Sequence, residues 1–268
     1  MWEYFVRTSH KPRPLPAGRW AMTQRWNDLL FAHWPIAAPR IQALLPDWLE
    51  ADTCEGSAWL GAVPFWLDRV KIRALPAIPG LRKFPDLNFR TYVRERFTGT
   101  PGFYCFSVDS SSLLAVAAAH ALYHLPYCLA EMRLEPRSER EFGFYSRRRF
   151  SRQQVIFKAR YRGLGPTRKT MQILPGSFEY FFTERTCVFS SNRSGQPIRA
   201  NLHHVSWPLE EAEAEIERND LATALGIELP DQEPVLHYSR RLAVYVWPVE
   251  LVRPALAARP VTVAATPT

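Results

Sequence analysis

The residues best suited to chemistry lie in one short stretch that contains His120, His124, Tyr127 and Glu131. His120 and His124 are four positions apart, so on a helix their side chains share one face. Imidazole titrates near neutral pH, and phenol and carboxyl groups can exchange hydrogen bonds and protons with a substrate. These four residues are therefore the candidates for catalysis.

Two histidines at this spacing can also bind a metal ion when a third ligand approaches. That ligand could be Glu131, His203, His204 or His237. The HExxH pattern is missing, however, and the residues before the histidines are apolar. The sequence therefore favours histidines that line a cavity or form local hydrogen bonds, and it predicts no metal ion and no other cofactor.

A second candidate group belongs to a predicted strand, Asn88–Phe97, in which polar and apolar residues alternate. Asn88, Arg90 and Tyr92 share one face of this strand, and Arg90 could bind a carboxylate through two parallel hydrogen bonds. The other members of the predicted ligand-binding set are His120, His124 and Tyr127. We expect these six side chains to border one cavity. The alternative is that this face of the strand is solvated.

The element that must position the histidines is a helix predicted over Leu113–His124, a stretch rich in alanine and leucine. Asp109 or one of the three serines after it can cap the first turn. Pro126 ends the helix, because proline has no amide hydrogen and restricts the residue before it. This break should turn Tyr127 toward the interior of the protein.

The rest of the chain has the pattern of short strands separated by turns. The predicted strands cover residues 25–35, 58–67, 70–72, 88–97, 102–109, 142–149, 154–162, 173–185, 186–190, 196–204 and 236–246, with helices at 39–45 and 209–225 and a loop at 76–85. Gly61 and Pro64 mark 58–67 as an edge strand or a bulged one. This pattern predicts an α+β fold that is mainly antiparallel β, formed as a barrel or a highly curved sheet.

The predicted organisation is a single domain over residues 22–254 between two tails. Residues 1–21 contain spaced prolines and should form an irregular or mobile tail that adds little stability. Residues 255–268 should form a flexible tail.

Charge and cysteine content narrow the class of protein. The 268 residues carry a net charge of +8. The longest apolar run is too short to span a membrane, and Cys54, Cys105, Cys128 and Cys187 are scattered without a CxxC pair. Widely spaced cysteines favour free thiols in a reducing compartment. We therefore predict a cytoplasmic protein without a membrane partner, which could form a homo-oligomer.

Basic residues are concentrated at 147–169, a stretch with nine lysines and arginines and no acidic residue. Basic residues between aromatic ones can bind nucleic acid through phosphate contacts and stacking. The alternation within 155–162 is equally typical of an outer strand with a solvated face, which the sequence favours. We therefore expect only weak nucleic-acid binding that salt abolishes.

Between about residues 22 and 254 the chain carries seven motifs in order: RWNDLLFAHWP, ALLPDWL, AWLGAVPF, NFRTYV, PGFYCFSVD, LYHLPYCLAEM and HYSRRLAVYVWP. Their order resembles an uncharacterised bacterial family of unknown function within the acetoacetate decarboxylase-like superfamily. The resemblance implies a cone-shaped, closed and largely antiparallel β-barrel with a few short helices around a small-molecule cavity.

The resemblance also argues against Schiff-base chemistry. True decarboxylases of this superfamily use the first lysine of a Pro-Lys-Lys run, and the matching residues here are Pro126, Tyr127 and Cys128. The acidic residue that decarboxylases carry on the preceding strand falls near Asn88. A phenol cannot form an imine. None of the five lysines is placed to replace it: Lys11, Lys71, Lys83, Lys158 and Lys169.

These observations together predict a protein that binds, and could transform, a small organic acid or carbonyl compound without a Schiff base. The expected ligand is anionic or contains a carbonyl group. The alternative is a non-catalytic ligand-binding or structural protein that kept the fold. A weaker alternative is nucleic-acid association through residues 147–169.

Overall fold

The computed structural model describes residues 8, 10, 11, 13–76, 78–165 and 173–253, and strands dominate this part of the chain. The strands are β1 (Met22–Ile36), β2 (Leu49–Ala51), β3 (Ala58–Ile72), β4 (Lys83–Glu95), β5 (Pro101–Ser110), β6 (Tyr127–Pro136), β7 (Glu141–Arg148), β8 (Ile156–Gly163), β9 (Cys187–Ser191), β10 (Pro197–His203), β11 (Leu209–Asn219) and β12 (Val235–Leu251). The helices are α1 (Ala38–Gln42), α2 (Leu113–Ala118) and α3 (Phe178–Thr183), with a π-helical turn at Ala119–Tyr123 and a 3₁₀ turn at Thr223–Leu225. The prediction of a mainly β protein with few short helices is confirmed.

All the strands belong to one sheet, in the order β10-β9-β5-β6-β7-β8-β11-β12-β1-β3-β4-β2. Strand β10 also pairs with β12, and β5 also pairs with β4. Nearly all pairs are antiparallel, but β5 runs parallel to both β6 and β9. Parallel neighbours need a crossover connection. Helix α2 and the π-helical turn are the crossover from β5 to β6.

The crossover follows the predicted helix closely. Ser112 caps α2, since its Oγ accepts a hydrogen bond of 3.2 Å from the amide of Ala115. The π-helical turn ends at Tyr123, and His124 has a left-handed backbone with φ of 51°. Proline at position 126 then excludes further helix. The chain therefore re-enters the sheet at Tyr127, as the first residue of β6.

Strand β4 has an apolar core on each face. Phe89 and Val93 belong to one buried cluster, while Phe84 and Tyr92 belong to another. Complete burial of such a side chain contributes about 1.5–3 kcal/mol, so both faces stabilise the strand. The alternative of a solvated face, considered from the sequence, is therefore wrong.

Residues 209–225 were expected to form an acidic helix, and this prediction is wrong. Residues 209–219 form strand β11, in which the glutamates alternate with Ala212, Ala214 and Ile216. These three apolar residues pack against the first core. The glutamates pair with basic residues of β8: Glu213 with Arg162 at 2.6 Å, Glu215 with Arg160 at 2.7 Å and Glu217 with Lys158 at 2.5 Å. Strand pairing thus overrides helix propensity, and much of the basic charge of 147–169 is compensated within the sheet.

One further prediction is wrong, and another is confirmed in one of its two alternatives. Residues 173–185 were expected to be a strand, but α3 occupies 178–183 and is capped by Ser177, whose Oγ accepts from the amide of Tyr180 at 3.2 Å. Residues 58–67 were expected to be an edge strand or a bulged one. Strand β3 lies between β1 and β4, so it is not an edge strand, but its pairing with β1 has the irregularity of a bulged strand. Proline is tolerated at position 64 because the pairing with β1 is irregular there, between Asn27 and Ala32.

The described residues between 8 and 21 form no helix or strand before β1, and hydrogen bonds attach them to the sheet. The amide of Ala21 donates to the carbonyl of Val246 at 2.8 Å, and Trp247 Nε1 donates to the carbonyl of Gly18 at 3.4 Å. Lys11 Nζ donates to the carbonyl of Leu202 at 3.2 Å. These bonds hold the described part of the segment against β10 and β12. That residues 1–21 add little stability stays a prediction. Residues 1–7 and the predicted tail at 255–268 lie outside the described residues.

Within the described residues, no helix is long and apolar enough to cross a bilayer.

Candidate functional site

A cavity of about 180 Å³ lies beside α2 and the π-helical turn. Most of its lining is apolar, and the polar side chains in it are Gln24, Asp86, Asn88, Tyr123 and Tyr127, besides the thiol of Cys105. Its lining contains no lysine, arginine or histidine from the described residues. A cavity of about 150 Å³ in a protein interior can hold benzene, so this one fits a small organic molecule.

Three neighbouring strands place the polar residues of this cavity. Asp86 and Asn88 lie two positions apart on β4 and so share a face. Asn88 pairs with Val108 of β5, and Val108 pairs with Tyr127 of β6. The parallel crossover thus places Tyr127, at the start of β6, near Asp86 of β4, with strand β5 between the two strands.

Asp86 and Tyr127 form the polar end of the cavity. The hydroxyl of Tyr127 donates to Asp86 Oδ2 at 3.3 Å. Asp86 is only 1% exposed, and its Oδ1 has no hydrogen-bond partner among the described residues. Burial raises the pKa of Asp86 well above its usual 3.8, and the nearby hydroxyls of Ser110 and Tyr127 only partly oppose this. The carboxyl group therefore stays protonated to higher pH than an exposed aspartate, and can donate as well as accept.

Tyr127 is suited to hydrogen bonding and not to nucleophilic attack. Burial, followed by the nearby carboxyl of Asp86, raises the pKa of its phenol well above 10.0. A neutral phenol can donate one hydrogen bond and accept others. Tyr127 occupies the position of the decarboxylase lysine in the resemblance described above, and it lines the cavity.

Arg90 and Tyr92 continue the same face of β4 but do not line the cavity. Arg90 is 4% exposed, and its guanidinium lies 4.8 Å from the ring centre of Phe103, which does line it. Arg90 Nη2 donates to the hydroxyl of Tyr92 at 3.3 Å, and His33 Nε2 lies 2.6 Å from the same hydroxyl. This buried polar cluster supports the wall behind Phe103.

Six side chains were expected to border one cavity, but two of the six line it, Asn88 and Tyr127. His120 is exposed, and its Nε2 donates to the backbone carbonyl of Tyr127 at 2.8 Å. His124 is half-buried and is absent from the lining. Glu131 pairs with two arginines at the surface, Arg133 at 2.9 Å and Arg147 at 2.6 Å.

The residue that sequence reasoning missed is Asp86. The predicted strand began at Asn88, because Pro85 belongs to a stretch rich in proline that was interpreted as a loop. Extending the alternation of Asn88, Arg90 and Tyr92 back by two residues would have found it. The resemblance placed the acidic residue of the decarboxylases near this position.

The lysines described in the structure lie outside the cavity. Lys83 stacks on Trp66 at 4.0 Å, and Lys158 pairs with Glu217. Lys11 departs from expectation, since it is half-buried and burial lowers its pKa to about 8. Lys169 lies outside the described residues.

Comparison with solved structures shows a shared fold. An acetoacetate decarboxylase-like enzyme from Sphingomonas wittichii RW1 is 13% identical, with a TM-score of 0.57 over 91% of this chain and 99% of that chain. The acetoacetate decarboxylase of Legionella pneumophila is 16% identical, with a TM-score of 0.55 over 94% and 96%. The enduracididine biosynthesis enzyme MppR complexed with pyruvate is 10% identical, with a TM-score of 0.60 over 91% and 94%. At these identities the likeness concerns the fold alone.

Sequence comparison identifies the family. The uncharacterized protein YqjF of Bacillus subtilis (strain 168) is 40% identical over 243 residues, which are 91% of this chain and 97% of that protein. Residues 23–243 match the model of DUF2071, a family described as an uncharacterized conserved protein. The resemblance inferred from the seven motifs is therefore confirmed, and the chain belongs to the DUF2071 family, with an acetoacetate decarboxylase-like fold.

Proposed function

We propose that this protein binds a small, uncharged and mainly apolar carbonyl compound in the cavity between α2 and β4–β6. In this proposal the protonated carboxyl of Asp86 donates a hydrogen bond to the carbonyl oxygen of the ligand. Tyr127 and Asn88 complete the polar end of the site.

The observation that carries the proposal is the free oxygen of Asp86. Buried polar atoms in proteins nearly always have a partner, and an unsatisfied one costs about 1–3 kcal/mol. Oδ1 of Asp86 has no partner among the described residues, although Asp86 lines a cavity large enough for a ligand. A bound carbonyl oxygen would remove this cost.

The chemistry that such a site supports is polarisation of a carbonyl group. A protonated carboxyl group in an apolar pocket can donate to a carbonyl oxygen and stabilise negative charge that develops there. This mode of activation needs no amine and no imine. It retains the role of the decarboxylase cavity in binding a carbonyl compound, while Tyr127 replaces the lysine.

The residues that line the cavity argue against the anionic ligand that was one of the two expectations. MppR has been crystallised with pyruvate, an anion. Among the described residues, those that line the cavity of this chain include no basic side chain, and a buried carboxylate without a cation is costly. We therefore favour a neutral ligand. Pairing of β10 with β12 supports the further proposal that the sheet closes into the expected cone-shaped barrel.

Binding can be tested with three compounds of similar shape: cyclohexanone, methylenecyclohexane and cyclohexanecarboxylate. We expect cyclohexanone to bind up to about tenfold more tightly than methylenecyclohexane, since one net hydrogen bond contributes about 0.5–1.5 kcal/mol. Cyclohexanecarboxylate should bind most weakly at neutral pH. Dissociation constants from ligand-detected NMR titrations would measure these differences.

Variants at the polar end of the cavity distinguish the effect of the hydrogen bond on affinity from the effect of cavity shape. Asp86→Leu should abolish the preference for the ketone over the hydrocarbon, and the ratio of the two affinities cancels any change in cavity size. Tyr127→Phe is the matched control, because it keeps the ring and leaves Asp86 able to donate. An unchanged ratio in Asp86→Leu would refute the role of Asp86.

Treatment with acetoacetate and borohydride should leave the mass of the protein unchanged. The reason is that the described lysines lie outside the cavity and Tyr127 cannot form an imine. Intact-mass spectrometry would measure the result. A reduced adduct would contradict the expectation. The variant Lys11→Arg should then be tested first, because the lowered pKa of Lys11 leaves more of its amine neutral.

A further inference from the structure

A second cluster of titratable side chains lies outside the cavity and is formed by His10, Glu184 and His204. One potential ligand atom from each residue lies within 4.8 Å of the other two. Glu184 directly follows α3, His204 directly follows β10, and His10 belongs to the N-terminal segment. Three distant parts of the chain thus bring a carboxylate and two imidazoles together.

Glu184 is the least satisfied member of the cluster. Its side chain is fully buried, and neither Oε1 nor Oε2 has a hydrogen-bond partner among the described residues. The ammonium group of Lys11 is nearby, but it donates to the carbonyl of Leu202 and contacts His203 Nδ1, each at 3.2 Å. Burial of a carboxylate without direct partners is costly, so a bound cation would stabilise this arrangement.

Both histidines are placed to complete a metal site. His204 Nδ1 lies 2.8 Å from the carbonyl of Val205, and a carbonyl only accepts, so Nδ1 carries the proton. The lone pair of Nε2 is then free to bind a metal, and a backbone carbonyl bonded to the other nitrogen is typical of metal-bound histidine. His10 Nε2 lies 3.7 Å from Glu184 Oε2, and it also donates to the carbonyl of His204 at 3.0 Å. Metal binding through this atom therefore requires the other tautomer of His10 and replaces that hydrogen bond.

We propose that His10, Glu184 and His204 bind one divalent transition-metal ion, which fastens the N-terminal segment to the sheet. Two imidazoles and a carboxylate with a fourth position left open match the ligands of many zinc sites. Around a tetrahedral zinc ion, ligand atoms lie about 3.3 Å apart. The atoms of the cluster lie within 4.8 Å of one another, so they must approach by about 1.5 Å at most. His10 can make this movement, because it belongs to an irregular segment and its side chain is partly exposed.

The sequence predicted no metal because these residues form no motif. Their approach depends on the attachment of the N-terminal segment beside β10, through Lys11 and Leu202. The proposed ion is independent of the ligand in the cavity, since none of the three residues lines it.

Titration calorimetry with Zn²⁺ on the full chain without a tag tests the proposal. We expect one ion per chain. Loss of a residue that merely supports a metal ligand costs about 10–100-fold in affinity, so His10→Ala and Glu184→Gln should each weaken binding by at least about 100-fold. His120→Ala is the matched control, because His120 is an exposed histidine outside the cluster. Co²⁺ should give the visible absorption of a tetrahedral site in the wild type and in His120→Ala, but not in His10→Ala or Glu184→Gln.

Thermal unfolding provides a second measurement in case Glu184→Gln fails to fold. Zn²⁺ should raise the midpoint of the wild type and of His120→Ala but not that of His10→Ala, since a ligand stabilises only the state that binds it. His10 lies on an irregular segment, so its replacement leaves the sheet intact. Absence of binding to the wild type, equal binding to His10→Ala, or loss of binding in His120→Ala would overturn the proposal.

Discussion

Replacement of Asp52 by alanine is expected to lower the free energy of unfolding by about 3–5 kcal/mol, because it leaves a buried charge without its partner. Asp52 Oδ2 accepts from Arg185 Nη1 at 2.5 Å, and the two side chains are 9% and 5% exposed. Asp52 Oδ1 accepts from Arg94 Nε at 2.9 Å. Chemical denaturation of the wild type and the variant would measure the difference.

A surface ion pair of the same type provides the control. Glu213 and Arg162 are 2.6 Å apart, but their side chains are 57% and 54% exposed. Exposed pairs contribute about 0–1 kcal/mol, so Glu213→Ala should have a small effect. If Asp52→Ala were no more destabilising than Glu213→Ala, the buried pair would have no special role.

A double variant identifies the origin of the expected loss. Asp52→Ala combined with Arg185→Met removes the unpaired charge together with its partner. Replacement of a buried ion pair by apolar residues is often neutral or stabilising, so the double variant should be more stable than Asp52→Ala alone. Arg185 follows Glu184 and also contacts the ring of Phe181 at 4.1 Å, so this pair fixes the chain just after α3.

The crossover from β5 to β6 shows which features of the structure can be predicted from neighbouring residues in the sequence. The capping serines, the run of alanine and leucine, and Pro126 were enough to predict where the helix begins and ends. These features act within a few residues, so the sequence contains them directly. The position of Tyr127 came from the order of motifs in a known family, not from local physics.

The orientation of the histidines was wrong for a physical reason. A regular α-helix would place His120 and His124 on one stripe with Leu113 and Ala117. In the structure this stripe faces solvent, since Leu113, Ala117 and His120 are all exposed, and His124 lies beyond the end of the π-helical turn. The residues that face the cavity are instead Ala115, Ala118, Ala119, Leu122 and Tyr123.

Long-range contacts account for the other failures. In residues 211–217 glutamates alternate with Ala212, Ala214 and Ile216, which is typical of a strand, whereas the helix propensity of glutamate and alanine favours a helix. Pairing with β8 decides between the two. The cluster of His10, Glu184 and His204 likewise exists only in the folded chain. Such sites cannot be found from spacing, because their ligands come from unrelated parts of the sequence.

A strong effect of pH on stability is expected from Asp86. Because burial raises its pKa well above 3.8, the folded protein holds a proton at pH values where the unfolded chain has lost it. The stabilisation from this group is complete below pH 3.8 and is lost as pH rises toward the pKa of the folded state. The loss is about 1.4 kcal/mol for each pH unit within this range.

Asp86→Asn should remove this dependence, since the amide does not titrate and preserves the shape of the side chain. The free energy of unfolding of the variant, minus that of the wild type, should therefore rise steadily from about pH 4 upward until the folded-state pKa of Asp86 is reached. Denaturation curves at several pH values between 4 and 7 would measure this difference.

Asp68 provides a control of opposite sign. Although burial tends to raise its pKa, hydrogen bonds from Arg25 and Asn27 lower it below 3.8. Its contribution is therefore present at neutral pH and lost only as pH falls through the acidic range, so the difference between Asp68→Asn and the wild type should be constant above about pH 5. If Asp86→Asn showed the same flat profile, Asp86 would ionise like an exposed aspartate, and it could not be the hydrogen-bond donor for a carbonyl ligand at neutral pH.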